Sequence, residues 1–285
     1  MEYTIVTSSR DPAGINIYNA LLSKFKITSC KGSDYESKGI NPHDKSFDKP
    51  LKLSENIEII KIKEDTLNCE GIEKKINGKI IIFATRHSSQ QGNPCFCVHT
   101  PGNWGKADYG GQSKALCISP ASLQRQFYLK LTKNNTLPYT VTMEATHHGP
   151  LINEKPCLFI EIGSTQKEWD DLKACEILAN TILEVTSEPI EIKKVVIGIG
   201  GPHYCDNFSK LLHRTDYGIG HVCPKHMLGD FDEEMAQLAV DRTYENKPIF
   251  VLDWKGLGQY KQQIKNVLTS KSHEFYKIKD LIKDQ

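Results

Sequence analysis

The stretch that decides the fold runs CLFIEIG (157–163), TQKEWDDLKACEILANTILEV (165–185) and KKVVIGIG (193–200). Its two outer segments are short apolar runs without alternation, the habit of strands buried on both faces. The middle segment repeats its apolar residues at helical spacing. A strand, a long helix and a second strand in succession argue an α/β architecture whose crossover connections make part of the sheet parallel. The same two patterns recur outward. Strand-like runs are YTIVTSS (3–9), IEIIKI (57–62), KIIIFAT (79–85), TVTMEA (140–145) and PIFVLDW (248–254). Helical patterns are INIYNALLSKF (15–25), ASLQRQFYLKL (121–131), DEEMAQLAVDRTY (232–244) and LGQYKQQIKNVL (257–268). The expected fold is a three-layer α/β sandwich with a mixed, largely parallel sheet, in a single domain over residues 1–285. Two interruptions are expected: a polar surface excursion at about 30–56, and a long Gly/Pro-rich loop at about 86–117, both read from composition.

The 285 residues are 39% apolar and 25% charged, which excludes a disordered chain. The longest strongly apolar stretch, residues 80–84, is far short of the ~20 residues that a membrane-spanning helix needs. The N-terminus MEYTIVTSS has neither a basic nor an apolar leader region, so a cytoplasmic protein without a membrane association is expected. Thirty-six basic against 35 acidic side chains exclude a strongly basic nucleic-acid coat but leave room for a local cationic patch. Nine cysteines, an odd number, argue against a disulfide framework.

The functional signal lies in histidines gathered in Gly/Pro-bearing segments. These are RHSSQQGNPCFCVHTPGNWGKADYGGQ (86–112), ATHHGP (145–150), GIGGPHY (198–204) and GIGHVCPKH (218–226). Three of the four follow a strand-like run, and loops at the carboxyl ends of strands converge on ligands in open α/β sheets. GIGGPHY has His203 where the dinucleotide fingerprint needs its third glycine, so that motif fails. Its glycines still suit backbone donors to an anion or oxyanion. There is no GxSxG, no GK[ST] and no HExxH, which disfavours serine hydrolases and common metalloproteases. Cys97 and His99, His203 and Cys205, and His221 and Cys223 are i, i+2 pairs with zinc-ligand chemistry, but neutral histidines doing acid/base work explain the same residues. His147 and His148 would point in opposite directions on an extended strand end, so one at most should face a given ligand. Glu144 stands three residues before His147, placed to orient a histidine or to act as a base.

In their order these motifs resemble the D-aminoacyl-tRNA deacylase family of archaea and plants, the GEKO proteins, over essentially the whole chain. The residues that carry the resemblance are His87, His99, Asn103 and Trp104 in the long loop, His147 and His148 in THHGP, Gly200, Gly201, His203 and Tyr204 in GGPHY, and His221. Asp206 and Asn207 depart from the family's usual continuation. The resemblance implies a fold similar to phosphorylases and peptidyl-tRNA hydrolase. It also implies hydrolysis of the ester between a D-amino acid and the terminal adenosine of tRNA, in chiral proofreading, with zinc as cofactor. It further implies aminoacyl-tRNA as partner through its acceptor end; no DNA partner is expected, and no obligate protein partner is readable from the sequence. Catalysis would fall to His147, His148, His203, His221 and Glu144, with His147, His203 and His221 as metal ligands. Gly200, Gly201, Tyr204, His87, His99, Asn103 and Trp104 would bind substrate. Arg125, Lys130, Lys133 and Arg214 are expected to meet tRNA phosphates. The competing readings are a nucleoside- or peptidyl-tRNA-directed hydrolase on a related fold, and a non-catalytic RNA- or nucleotide-binding module.

Overall fold

A computed structural model describes residues 2–25 and 48–282. Most of the expected excursion at 30–56 lies outside the described residues. The chain builds two main sheets. The first contains β1 (Tyr3–Ser8), β2 (Leu51–Lys52), β3 (Ile57–Ile62), β4 (Ile80–Arg86), β5 (Cys95–His99), β8 (Thr140–Met143) and β9 (Cys157–Gly163), with β6 (Gly102–Asn103) and β7 (Ala115–Leu116) forming a separate short pair. Its order is β2-β3-β1-β4-β9-β5-β8. The strands β3, β1, β4 and β9 are parallel, and β5 pairs antiparallel to β9. The sheet is therefore mixed and largely parallel, as expected.

The second sheet holds β10 (Val195–Ile199), β11 (Gly218–Cys223), β12 (Ile249–Leu252) and β13 (Phe275–Lys277) in the order β11-β10-β12-β13, all parallel. The helices are α1 (Pro12–Lys24), α2 (Ala121–Asn134), α3 (Gln166–Trp169), α4 (Leu172–Ser187), α5 (Asp206–Arg214), α6 (Glu233–Asp241), α7 (Lys261–Ser270) and α8 (Ile278–Leu281). The deciding stretch is thus corrected in one respect: its two strands, β9 and β10, enter different sheets. The single helix expected over 165–185 is also broken. Thr165 and Glu168 form a capping box on α3, and the Asp171 carboxylate then caps a new start by accepting from the Lys173 and Ala174 amides.

Both faces of the first sheet are covered, which is why its strands read as unbroken apolar runs. Ile82, Ala84, Leu158 and Ile160 pack against α1, α2 and α4. The alternate residues Ile81, Phe83, Cys157 and Phe159 pack on the other face against Cys69, Ile72, Cys117 and Ile152. In the second sheet Ile197, Ile199, Phe250 and Leu252 meet α6 and α7, while Val196, Ile219 and Val251 meet α5. The expected loop at 86–117 is not continuous loop, since it contains β5 to β7. GIGHVC, read as loop-like, is strand β11. A Cβ at its Gly220 would come into van der Waals contact with Ser119 and Thr243.

Candidate active site

The pleat of the first sheet places the site. His87 follows β4 on the same face as Phe83 and Thr85, opposite the side that carries α1 and α4. Phe159 and Glu161 on β9, and Cys97 and His99 on β5, share that face through the register Cys97 to Glu161 and His99 to Phe159. The ATHHGP segment and the end of β10 close over it: the Glu144 backbone pairs with Tyr204, and the Ala145 amide donates to the His203 carbonyl at 2.9 Å. Because β5 runs antiparallel, the site sits on the sheet face between the two sheets rather than wholly outside strand carboxyl ends. A cavity of about 480 Å³ opens there, lined by Arg86, His87, Tyr109, His147, His148, Phe159, Glu161 and His203 among others.

The electrostatics rest on two buried carboxylates. His87 Nδ1 lies 3.4 Å from Glu144 Oε2 and 3.6 Å from Glu161 Oε2, and its Nε2–H donates to the Tyr204 hydroxyl at 2.9 Å. Burial opposes charge on His87, but the two carboxylates outweigh it and push its pKa up to about 12. Glu144 and Glu161 are held below the usual carboxylate range: burial alone would raise them, and the neighbouring histidines prevail. Thr85 also donates its hydroxyl to Glu161 at 2.9 Å. Gly163 makes room for this arrangement, because a Cβ there would meet the His87 side chain at 2.6 Å.

His203 reaches Glu144 Oε1 with Nε2 at 3.0 Å, and its side chain is 34% exposed while Glu144 is fully buried. His147 and His148 donate Nδ1–H to the carbonyls of Ala145 (2.8 Å) and Gly149 (2.6 Å), which leaves both Nε2 lone pairs free. Burial holds His147 well below the ordinary histidine value and His148 at about 4, so both are neutral at pH 7. The expectation that adjacent histidines diverge fails here. His148 adopts φ +48°, the chain turns, and the two rings lie 4.3 Å apart in one cavity. His99 completes the group with its ring 4.4 Å from His147, and its buried Nε2 faces Glu161 Oε2 at 3.6 Å with no closer hydrogen-bond partner. Among the described residues, four sets of side chains lie close enough to share a cation: His99, His147 and His148; Glu144, His147 and His203; His87, Glu144 and Glu161; and His87, Cys95 and Cys97.

The structure brings His87, His99, Glu144, His147, His148 and His203 together, with Tyr204 attached through His87. Other expected site residues have structural roles. His221 is buried with both nitrogens engaged: Nε2–H donates to the Arg242 carbonyl (3.0 Å), and Nδ1 accepts from Thr146 Oγ1 (3.3 Å). It therefore has no lone pair for a metal shared with His147 and His203. Trp104 is core, its indole N–H donating to the Val222 carbonyl at 3.0 Å. The Asn103 amide binds the carbonyls of Gly110 and Gln112 and shapes the loop. The Gly200 N–H already donates to Cys223, so it supplies no oxyanion donor. Gly201 is pressed against Gly256, where a Cβ would collide with its nitrogen. Cys205 and Cys223 are buried in core clusters, which removes two of the three cysteine–histidine pairs from metal chemistry.

None of Arg125, Lys130, Lys133 and Arg214 lines the histidine cavity. Helix α2 packs its Leu123, Phe127 and Leu131 on the opposite face of the first sheet, Lys130 pairs with Glu184 and Glu188, and Arg125 binds the Thr215 carbonyl. Conversely, Glu161 was missed, although a lone acid inside CLFIEIG is a readable sign of a buried, partnered charge.

An α/β scaffold with histidines ordered by buried carboxylates in a cavity is the equipment of a hydrolase that activates water. Comparison with known proteins agrees. The family model for D-aminoacyl-tRNA deacylase matches residues 74–276. D-aminoacyl-tRNA deacylases of Pyrococcus furiosus and Thermococcus kodakarensis are 38% and 34% identical, covering 96% and 95% of this chain and 98% of each relative. A crystal structure of AF0625, described as a conserved protein of unknown function, superposes with a TM-score of 0.86 at 30% identity, covering 99% of this chain and 97% of that one. The chain belongs to the D-aminoacyl-tRNA deacylase family.

Proposed function

We infer that this protein hydrolyses the ester of D-aminoacyl-tRNA, such as D-tyrosyl-tRNA, releasing the free D-amino acid and tRNA and so proofreading chirality in translation. The observation that carries the reading is His203, a cavity-lining imidazole held at 3.0 Å by the buried Glu144. With Nε2–H committed to that carboxylate, the other ring nitrogen is left as the acceptor of a proton from attacking water. The same proton then passes to the departing ribose oxygen. The Glu144–His87–Glu161 arrangement keeps Glu144 ionised throughout, and Tyr204 fixes the far side of His87. Tyr109, 72% exposed at the cavity rim, offers an aromatic face to the terminal base. A cytoplasmic location follows from where this substrate arises; no helix among the described residues is long and apolar enough to cross a membrane.

The cofactor reading is a zinc ion on His99, His147 and His148. These residues fit it: each turns Nδ1 to a backbone carbonyl, their ligand atoms lie within 4.8 Å of one another, and the buried Nε2 of His99 has no partner closer than Glu161 Oε2 at 3.6 Å. When bound, zinc would polarise the ester carbonyl or acidify water. This set is preferred to Glu144, His147 and His203 because there both Glu144 oxygens already face histidines, Oε1 at 3.0 Å from His203 Nε2 and Oε2 at 3.4 Å from His87 Nδ1. Cobalt-substituted protein should show d–d absorption of a nitrogen-ligated ion that is lost in His99→Ala; a spectrum unchanged by that substitution would remove the trio as ligands. For the reaction itself, D-tyrosyl- and L-tyrosyl-tRNA hydrolysis are compared at matched concentration. The D-ester should be cleaved at least ~100-fold faster, and equal rates would sink the assignment.

A further inference from the structure

The second sheet carries a crevice that the reaction as described does not use. From β10 the chain turns to β11 on one side, through α5 on one face; from β12 it turns to β13 on the other side, through α7 on the opposite face. The loops that leave the neighbouring strands β10 and β12 therefore part, which makes a topological switch point, where open α/β sheets hold their ligands. A cavity of about 720 Å³ lies at this point, lined by Gly201 and Pro202 after β10, Lys225 and His226 after β11, and Gly256, Gly258, Gln259 and Tyr260 after β12. Pro202 is followed directly by the catalytic His203, so crevice and active cavity share a wall.

The chemistry of the crevice is cationic. Lys225 is exposed into it and makes no ion pair among the described residues, and its amide donates to the Gly201 carbonyl at 2.8 Å, which fixes the residue on the wall. Asp253, which lies against Gly201 and Gly256, is buried with its oxygens taken by the Asn207 amide (2.9 Å) and the Gly256 amide (3.2 Å). Next to this wall, Lys261 and Lys277 lie 5.5 and 4.5 Å from the Trp254 ring centroid. A cation without a partner, an imidazole and close-packed glycine backbone at a switch point suit a phosphodiester with its nucleoside.

We propose that this crevice binds the nucleotide that precedes the terminal adenosine of the tRNA, with Lys225 on its phosphate. The proposal rests on the deacylase reading and moves the phosphate contacts from α2 and α5 to the loops beside His203. It is tested with two substrates that share the ester, D-tyrosyl-tRNA and D-tyrosyl-adenosine, the second lacking the preceding phosphate. Lys225→Glu should raise KM for D-tyrosyl-tRNA about tenfold or more and leave kcat/KM for D-tyrosyl-adenosine within twofold of wild type. Lys225→Ala, a milder change at an exposed position, should lower the log–log salt slope of KM for the tRNA substrate by about 0.7 to 1. An unchanged KM for tRNA in Lys225→Glu, or an equal loss on both substrates, would overturn the proposal. Failure of the wild-type protein to cleave D-tyrosyl-tRNA would instead overturn the function on which it rests.

Discussion

His203→Ala lowers kcat for D-tyrosyl-tRNA by about 10² to 10⁴-fold, the range over which a positioned general base contributes, while KM changes little. The side chain is one-third exposed, and its removal leaves Glu144 facing His87 at 3.4 Å, so no buried charge is orphaned and the fold is retained. Glu144→Gln carries a comparable loss for a different reason. An amide can donate to His203 Nε2 as well as accept from it, which places the ring proton on the nitrogen needed as base. Single-turnover rates at saturating enzyme isolate this step from substrate binding. A His203→Ala rate within threefold of wild type would remove His203 from the mechanism.

The second large effect is on stability in acid. His148 and His221 are buried and neutral, each depressed to about 4 from the ordinary 6.5, mainly because burial penalises the charged ring. The unfolded chain takes up those protons first. The stability they represent is therefore complete above about pH 6.5 and declines as pH falls towards 4. At pH 5 the loss is about 2 kcal/mol for each, or about 4 kcal/mol together, a large share of the ~5–15 kcal/mol that holds a domain folded. Glu144 and Glu161, held below the usual range, add their losses in the same direction below about pH 4.5. His87 acts oppositely: raised to about 12, its contribution is complete below pH 6.5 and is lost as pH rises from there towards 12. Denaturant unfolding of the metal-free protein at pH 7.5 and pH 5 measures the net difference, and a midpoint at pH 5 equal to or above that at pH 7.5 would show that the loss at His148 and His221 does not outweigh the gain at His87.

Much of this molecule is legible in its residues before any coordinates. Runs such as KIIIFAT and CLFIEIG announce strands covered on both faces, because continuous burial leaves no polar side to alternate with. The histidine motifs stand out in the sequence as a group, and His87, His99, His147, His148 and His203 do meet in space, while His221 does not. What stayed hidden has a common cause. The elements β5 and β11 are written in small, Cys- and His-bearing residues whose strand character comes from neighbours in space rather than local propensity. The partition of the strands into two sheets, and with it the crevice beside His203, depends on crossovers that no local pattern encodes.

Residue chemistry alone thus determined the architecture in outline and the family. Tertiary structure decided which of those groups meet. It turned His148 into the cavity through one left-handed residue and took His221 into the core by satisfying both its nitrogens. It also brought in Glu161 from an apolar strand to share His87 with Glu144. The reason is physical: an imidazole or carboxylate acquires its charge, tautomer and direction from desolvation and from partners distant in the chain, and those exist only once the two sheets have packed.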